Sequence, residues 1–511
     1  MDNIELSLFA HRISAVCDEM GAVLQRVAFS PNIKDRLDFS CAVFSAEGEL
    51  LAQAAHIPVH MGSMAYAMAD VVALIQWQPG DMVIVNDPYM GGTHLPDVTL
   101  ISPLFMAQQL TAFVVNRAHH ADIGAESPGS MPVSSSLLQE GVVISPAKLM
   151  LNNELNQSVL QPLLRQLKNA DESMGDFNAQ ISANRRGLER LQLLIASMGL
   201  AAYQQAQQAL NDYAEKMADA ALKSIPDGVY DFTDKMDDDG QGQKDILIKV
   251  SLTVQAGKVT ADFKGTDDQV KGNINCPLSV VAAAVFYVFR CLMPQQTPAC
   301  AGSFRSIQIN VPEGCLLNAR YPAAVAAGNV ETSTRVVDVI MGALAKAIPE
   351  QIPAASHGSM NNLAMGHEGD AQHEAWNYYE TIGGGMGAGK SGGGLSAVQS
   401  HMTNTLNTPI EVLESRYPIR IKRYQIRQAS GGRGQRNGGD GIIREFEFLE
   451  PAQFTLLTER RSMQPWGINA EAGKRGENRL NQELIAAKIN CQVEAGDVLR
   501  IETPGGGAWS G

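Results

Sequence analysis

Aspartate and histidine crowd into two short stretches of this sequence, Asn86-Asp87-Pro88-Tyr89-Met90-Gly91-Gly92-Thr93-His94-Leu95-Pro96-Asp97 and His119-His120-Ala121-Asp122-Ile123-Gly124. Carboxylates and imidazoles together suit a divalent ion of borderline hardness, Zn2+ or Mn2+. His94 and Asp97 stand three residues apart with Pro96 between them. That spacing can aim both at one ion, but it is just as common in turns and caps. A second reading of the residues therefore stays open: Asp97 caps a turn, Asp87 makes an Asx-turn before Pro88, and the paired histidines bond backbone.

Such groups need strands to hold them. Met82 to Val85 reads as a buried strand that Pro88 and Gly91-Gly92 terminate, and Val98 to Phe105 resumes an extended pattern. Thr111 to Val115 is another strand leading to Arg117, His119 and His120, so neighbouring strands can deliver these ends to one edge of a sheet. Upstream, apolar residues at helical spacing predict an opening helix over 4–27. Asp38 stands where the next strand begins, either as a ligand or paired with Arg36 or Lys34. His56 and His60 flank Pro58 ahead of a helical segment and read as caps or packed core groups.

Further along, 152–208 is helical, with a charged face at 184–190, and 228–272 alternates with period two. Pro277 to Leu292 reads as a buried helix. Gly328-Asn329-Val330-Glu331-Thr332-Ser333 precedes a helix over 334–347 that Ser333 or Thr334 would cap. Beyond Ile382, glycine turns separate short strands. The predicted class is α+β, a multidomain mixed fold. Its expected parts are an N-terminal metal-site α/β region over 1–225, a β-rich module over 226–276, a helical and glycine-rich region over 277–405, and a glycine-rich, β-rich C-terminal part over 406–511.

Composition narrows the class. With 511 residues, 45% hydrophobic and 18% charged, the chain can bury several cores, and a net charge of −14 argues against nucleic acid or an anionic membrane as partner. Seven scattered cysteines without a C-x-x-C pair fit a reducing compartment. Acidic Asp2 and Glu5 stand where a signal peptide would be basic, and the apolar run 280–289 is too short to span a bilayer, so a soluble cytoplasmic protein is expected.

Gly384-Gly385-Met386-Gly387-Ala388-Gly389-Lys390-Ser391 spells a phosphate loop. Such a loop works because a helix begins at its lysine and points free N–H groups at phosphate, and here Gly392-Gly393-Gly394 follows at once. A packed or flexible glycine loop is expected instead, with no nucleotide-binding residues in this chain.

In these residues the chain resembles the B subunit of the ATP-dependent hydantoinase and 5-oxoprolinase family, whose relatives include caprolactamase and the acetone and acetophenone carboxylases. The resemblance covers nearly the whole chain. It rests on Asp38-Phe39-Ser40, the two stretches above, Pro128-Gly129-Ser130-Met131, 328–333, His401-Met402-Thr403-Asn404-Thr405 and Pro504-Gly505-Gly506-Gly507. It implies metal ligands at Asp38, His94, Asp97 and His119, with Asp87 as a substitute for Asp38. It further implies proton-handling or ligand-orienting roles for His120 and Asp122, and substrate contacts from Asp87, Asn329 and Glu331. A separate A-type subunit would bind ATP and Mg2+ in a hetero-oligomer such as A2B2. That subunit would phosphorylate the carbonyl of a small lactam or cyclic imide, which a metal-bound water on this chain would then attack. The sequence departs from the family pattern at Ala429 and across 387–394, where an acid is expected.

Two other classes share these residues. A ketone carboxylase subunit would use the metal to stabilise an enolate, and bicarbonate-dependent ATP use distinguishes it. A non-catalytic partner would only shape the A subunit's site and would tolerate loss of His94.

Overall fold

The computed structural model of the chain describes residues 2–55 and 57–511; His56 lies outside the described residues. The first sheet is antiparallel throughout. It comprises β1 (Phe39–Ser45), β2 (Leu50–Ala55), β3 (Met82–Val85), β4 (Asp97–Met106), β5 (Gln109–His119), β6 (Ala147–Leu151) and β7 (Glu154–Leu155), in the order β2-β1-β5-β4-β3-β6-β7. Both faces of its centre are covered, which is why β1 and β3 are buried at every position. Cys41 and Val43 pack towards α1 (Asn3–Val27), which itself packs on α5 (Ala170–Met198). Alternate residues Ala42 and Phe44 meet Met64 and Met68 of α3 (Pro58–Leu74) on the other side. The opening helix is therefore present as expected, started by an Asp2–Glu5 capping box. Between α1 and α5 come α2 (Pro31–Lys34) and α4 (Gln157–Leu164), and α6 (Leu200–Leu222) follows.

The period-two segment forms β8 (Gly228–Asp238), β9 (Lys244–Gln255) and β10 (Lys258–Asp262), and a parallel fourth strand, β11 (Ile307–Asn310), joins them from beyond α7 (Leu278–Leu292). Against this sheet packs α8 (Ser333–Ala347), which makes the largest apolar core with α7. The start of α8 differs from expectation. Residues Gly328–Thr332 form a π-helical turn that runs straight into it, so Ser333 and Thr334 are interior rather than caps. Their hydroxyls donate back to the carbonyls of Asn329 and Glu331. Wide turns of this kind often sit at functional sites because they aim side chains that a regular helix would bury.

Two further sheets share one core. The first joins β12 (Asn362–His367), β13 (Trp376–Glu380), β16 (Ala452–Leu457) and β19 (Lys488–Val493). The second, entered after α9 (Ile410–Arg416), joins β14 (Ile419–Arg427), β15 (Gly441–Phe448), β17 (Glu477–Leu480), β18 (Glu483–Leu484) and β20 (Val498–Glu502). The pairing of β12 with β16 hydrogen-bonds strands from either side of residue 405. The whole is a mixed α/β, multidomain fold with several β-sheets. Among the described residues no helix is long and apolar enough to cross a membrane.

Candidate metal centre

Three strand ends meet at one edge of the first sheet. Asp97 opens β4 and His119 closes β5 as its register partner, while Asp38 immediately precedes β1 and its carbonyl accepts the His119 N–H at 3.0 Å. The turn before β4 brings His94 to the same place. Gly91 adopts φ +98°, and a Cβ on Gly92 would lie 2.3 Å from the Asn86 carbonyl oxygen, so only glycine allows the chain to fold back this tightly. His60 arrives on the first turn of α3, and Asn329 on the π turn. Asp38, His60, His94, Asp97, His119 and Asn329 line a cavity of about 20 Å³, with room for an ion or a water.

The ligand atoms of His94, Asp97 and His119 lie within 4.8 Å of one another, and all three residues are buried. Among the described residues, His94 Nε2, His119 Nε2 and Asp97 Oδ1 have no hydrogen-bond partner, although His94 Nε2 and Asp97 Oδ1 lie 3.4 Å apart. Leaving one buried polar atom unpaired costs about 1–3 kcal/mol. Three converging on one void form a donor set that a cation satisfies at once.

Their other atoms are engaged. His94 Nδ1 lies 3.3 Å from the Ala326 carbonyl oxygen, and His119 Nδ1 lies 3.1 Å from the Asn32 side-chain amide. Asn32 Nδ2 is the atom that faces Nδ1, while Asn32 Oδ1 accepts from Arg36 Nη1 at 3.3 Å; a cation on His119 Nε2 needs the proton on Nδ1, which requires this amide to reverse. Asp97 Oδ2 accepts from the Thr93 hydroxyl and the Asn329 amide, with His60 Nε2 at 3.4 Å. Supporting contacts of this kind fix a ligand's tautomer and direction. The residues present fit a divalent cation.

The groups at the cavity also set one another's protonation. Burial disfavours charge on His94, but the Asp97 carboxylate, its Oδ1 3.4 Å from Nε2, outweighs burial and raises the imidazole above its ordinary value. Burial would likewise raise Asp97, yet His94 and His60 hold it well below the usual carboxylate range. Burial, reinforced by His94, pushes His119 well down and keeps it a neutral base. Burial raises Asp38, against the pull of Arg36, whose guanidinium is 3.9 Å away.

Not every residue singled out in the sequence comes to this cavity. His120 and Asp122 do not, because past the end of β5 consecutive side chains diverge. His120 Nε2 meets Gln180 Oε1 at 2.9 Å and its ring packs on Phe177 of α5, while Asp122 accepts the N–H groups of Gly124 and Asn169. Asp87 makes the Asx-turn onto the Tyr89 N–H and meets the Ser145 hydroxyl, so it does not line the cavity and is no substitute there for Asp38. Glu331, two residues beyond Asn329, points instead at the Met360 N–H and the Asn362 amide, and its other oxygen has no hydrogen-bond partner among the described residues. Of the residues expected to touch substrate, Asn329 alone lines the cavity, and its Oδ1 is free.

Other members of the site escaped the sequence reading. His60, taken there for a cap or core group, faces Asp97. Tyr379 stacks on His119 with ring centroids 4.9 Å apart, and Arg36 lies over the Tyr379 ring. Nothing local in the sequence marks Asn32 or Tyr379; the only available signal for His60 was a lone imidazole on an apolar helical segment.

A second group, His367, Asp370 and His373, also brings possible ligand atoms together, but it is partly exposed and internally satisfied. His367 Nδ1 accepts the Gly369 N–H and Asp370 accepts from the backbone of Gln372 and His373. The phosphate-loop lookalike is equally engaged. The N–H groups of Gly387, Ala388 and Gly389 go to the Ser356 hydroxyl and the carbonyls of Gly507 and Gly392, and Lys390 pairs with Glu350 at 2.8 Å. At Ala429, Asp440 supplies a carboxylate to the turn by accepting the N–H groups of Ser430 and Gly431.

Residues 2–511 match the family model described as hydantoinase B/oxoprolinase. The chain is 38% identical to an uncharacterised protein of Methanocaldococcus jannaschii, covering 100% of this chain and 91% of that one. It is also 38% identical to 5-oxoprolinase 1 of Arabidopsis thaliana, covering 99% of this chain but spanning only 42% of that relative's length. Among solved structures, the ATP-dependent caprolactamase from Pseudomonas jessenii superposes with a TM-score of 0.93 at 25% identity, covering 100% of this chain and 91% of that one.

Proposed function

We propose, from the premise that this chain belongs to the hydantoinase B/oxoprolinase family, that it is the ring-opening component of an ATP-dependent cyclic amidohydrolase. The observation that carries the proposal is the convergence of unpartnered His94 Nε2, His119 Nε2 and Asp97 Oδ1 on one buried, ion-sized void. Both 5-oxoprolinase and caprolactamase are named for lactams, which supports a lactam or cyclic imide as substrate.

The amide carbon of such a ring is a poor electrophile, and phosphorylating its oxygen makes it a good one. That step belongs to an A-type ATP- and Mg2+-binding subunit in a hetero-oligomer such as A2B2. More than half of the matched 5-oxoprolinase lies outside the region this chain spans, which leaves room there for such a component. His94, Asp97 and His119, completed by Asp38, would hold Zn2+ or Mn2+. Bound there, the ion supplies Lewis-acid activation of water or of a substrate oxygen.

The chain's own residues do the rest. Thr93 and His60 fix the Asp97 carboxylate, while Tyr379 and Asn32 fix the His119 ring. Asn329 Oδ1 would accept a hydrogen bond from an attacking water, and the buried walls would keep bulk water from the reactive imidate-like phosphate. The void admits an ion and not a lactam ring, so substrate binding requires the site to open. The seven cysteines are all free thiols, which suits a cytoplasmic enzyme.

The test is phosphate release and ring-opened product measured in one reaction of the reconstituted complex. Asp97→Asn and His94→Ala should lose ring opening while retaining ATP consumption. Ring opening at the wild-type rate by either variant contradicts the proposal.

A further inference from the structure

Glu140 is a wholly buried carboxylate on none of the strands that build the cavity, and the chemistry above makes no use of it. It follows the short 3-10 turn Leu137–Gln139. Its Oε1 accepts the N–H groups of Val325 and Ala326, both at 2.9 Å, and the Ser134 hydroxyl at 2.7 Å, while Oε2 accepts Val325 again at 3.1 Å. A buried carboxyl oxygen accepting from two successive backbone N–H groups fixes the peptide planes on that segment.

The next group along is the Ala326 carbonyl, which faces His94 Nδ1 at 3.3 Å. A carbonyl can only accept, so this contact requires the proton on Nδ1. In the neutral ring Nε2 then carries the lone pair, 3.4 Å from Asp97 Oδ1. Three residues further on, Asn329 reaches Asp97 Oδ2, so the same segment braces both groups.

We propose that Glu140 is a positioning residue for the centre. Through the Val325–Ala326 backbone it holds the Ala326 carbonyl against His94 Nδ1 and so selects the His94 tautomer whose Nε2 can bind a cation. This rests on the metal-centre reading for its consequence, but the tautomer itself is measurable without metal.

Two measurements test it. In the metal-free protein at alkaline pH, 15N-histidine NMR should find His94 protonated on Nδ1 in the wild type and in E140Q, which retains an acceptor oxygen. It should find His94 shifted towards the Nε2-protonated form in E140A and in E140D, whose shorter carboxylate withdraws from the segment. In competition with a chelating dye, Zn2+ should bind E140Q within about threefold of wild type, and E140A and E140D about 10–100-fold more weakly, the range seen when a group supporting a metal ligand is lost. Should E140A not fold, E140D carries the comparison. A role confined to stability would lower the melting temperature and leave tautomer and Zn2+ affinity unchanged in folded protein. That result overturns the inference, as does E140Q matching the weak variants or a wild-type His94 already protonated on Nε2. Absence of Zn2+ binding in the wild type, with the tautomer pattern as expected, would instead refute the metal reading alone.

Discussion

Glu331 offers a pH-dependent stability that can be worked out from its surroundings. Burial, with Glu459 nearby, pushes its carboxyl from an ordinary 4.5 up to about 7, while Lys488 and hydrogen bonds pull the other way. Arg461, whose own value the carboxylate helps sustain, is the other cation in reach. One oxygen is satisfied by Met360 and Asn362, and burial of the carboxyl is the main reason that ionisation is costly. Because the folded value lies above the unfolded one, the native state binds the proton more tightly. Its contribution is complete below 4.5 and is lost as pH rises through about 7. That difference is worth on the order of 3 kcal/mol. Unfolding entropy for a chain of 511 residues is about 1 kcal/mol per degree, so the loss amounts to roughly 3 °C in melting temperature. Glu331→Gln imitates the protonated form at every pH. Melting curves should show it level with wild type at about pH 5 and ahead by about 3 °C at about pH 8. A gap that stays constant across that range, or that narrows with rising pH, refutes the assignment of Glu331 as a strained buried carboxyl.

Two other ion pairs, one buried and one exposed, give contrasting expectations. Arg444 donates to both oxygens of the fully buried Glu380 at 2.7 and 2.9 Å, next to Tyr379. Arg444→Met should cost about 3–5 kcal/mol because it strands that carboxylate, and Arg444→Met with Glu380→Leu should recover most of the loss; equal melting temperatures for single and double variants contradict this. Lys390→Ala removes only a half-exposed pair with Glu350, so stability should change by less than about 0.5 kcal/mol and ATP turnover of the complex should not change. Nucleotide retained by the isolated wild-type chain and lost in that variant would contradict the packed-loop reading.

The strands that deliver the centre were visible in the sequence because their apolar runs are bounded by proline and glycine. Asp38, Asp97 and His119 could be placed at strand ends for that reason. Their meeting depends on β1 and β4 both pairing with β5, a long-range choice that local pattern does not encode. His120 and Asp122 illustrate the cost of reading by proximity. They follow His119 in sequence, yet leaving the strand turns them towards α5 and Asn169, where Gln180, unremarkable in the sequence, awaits His120. Tyr379 and Asn32 reach His119 from distant segments and carry no local signature. The π turn at 328–332 was hidden because Ser333 and Thr334 resemble caps, although their hydroxyls bond back along the turn. The glycine run around Lys390 was legible in the negative: its three following glycines deny the helix start that a phosphate loop needs, and its N–H groups are spent on neighbouring chain.

The central claim is that His94, Asp97 and His119 form a buried cation site. It is tested most directly by elemental analysis of the chain purified without chelator and, in parallel, after equilibration with Zn2+ or Mn2+ and desalting. The wild type should carry about one divalent ion per chain, and His94→Ala and His119→Ala, each shown to be folded, should carry almost none, since losing one imidazole leaves too few donors to retain the ion. A wild type that neither contains nor takes up metal, or variants that hold as much as the wild type, would contradict it.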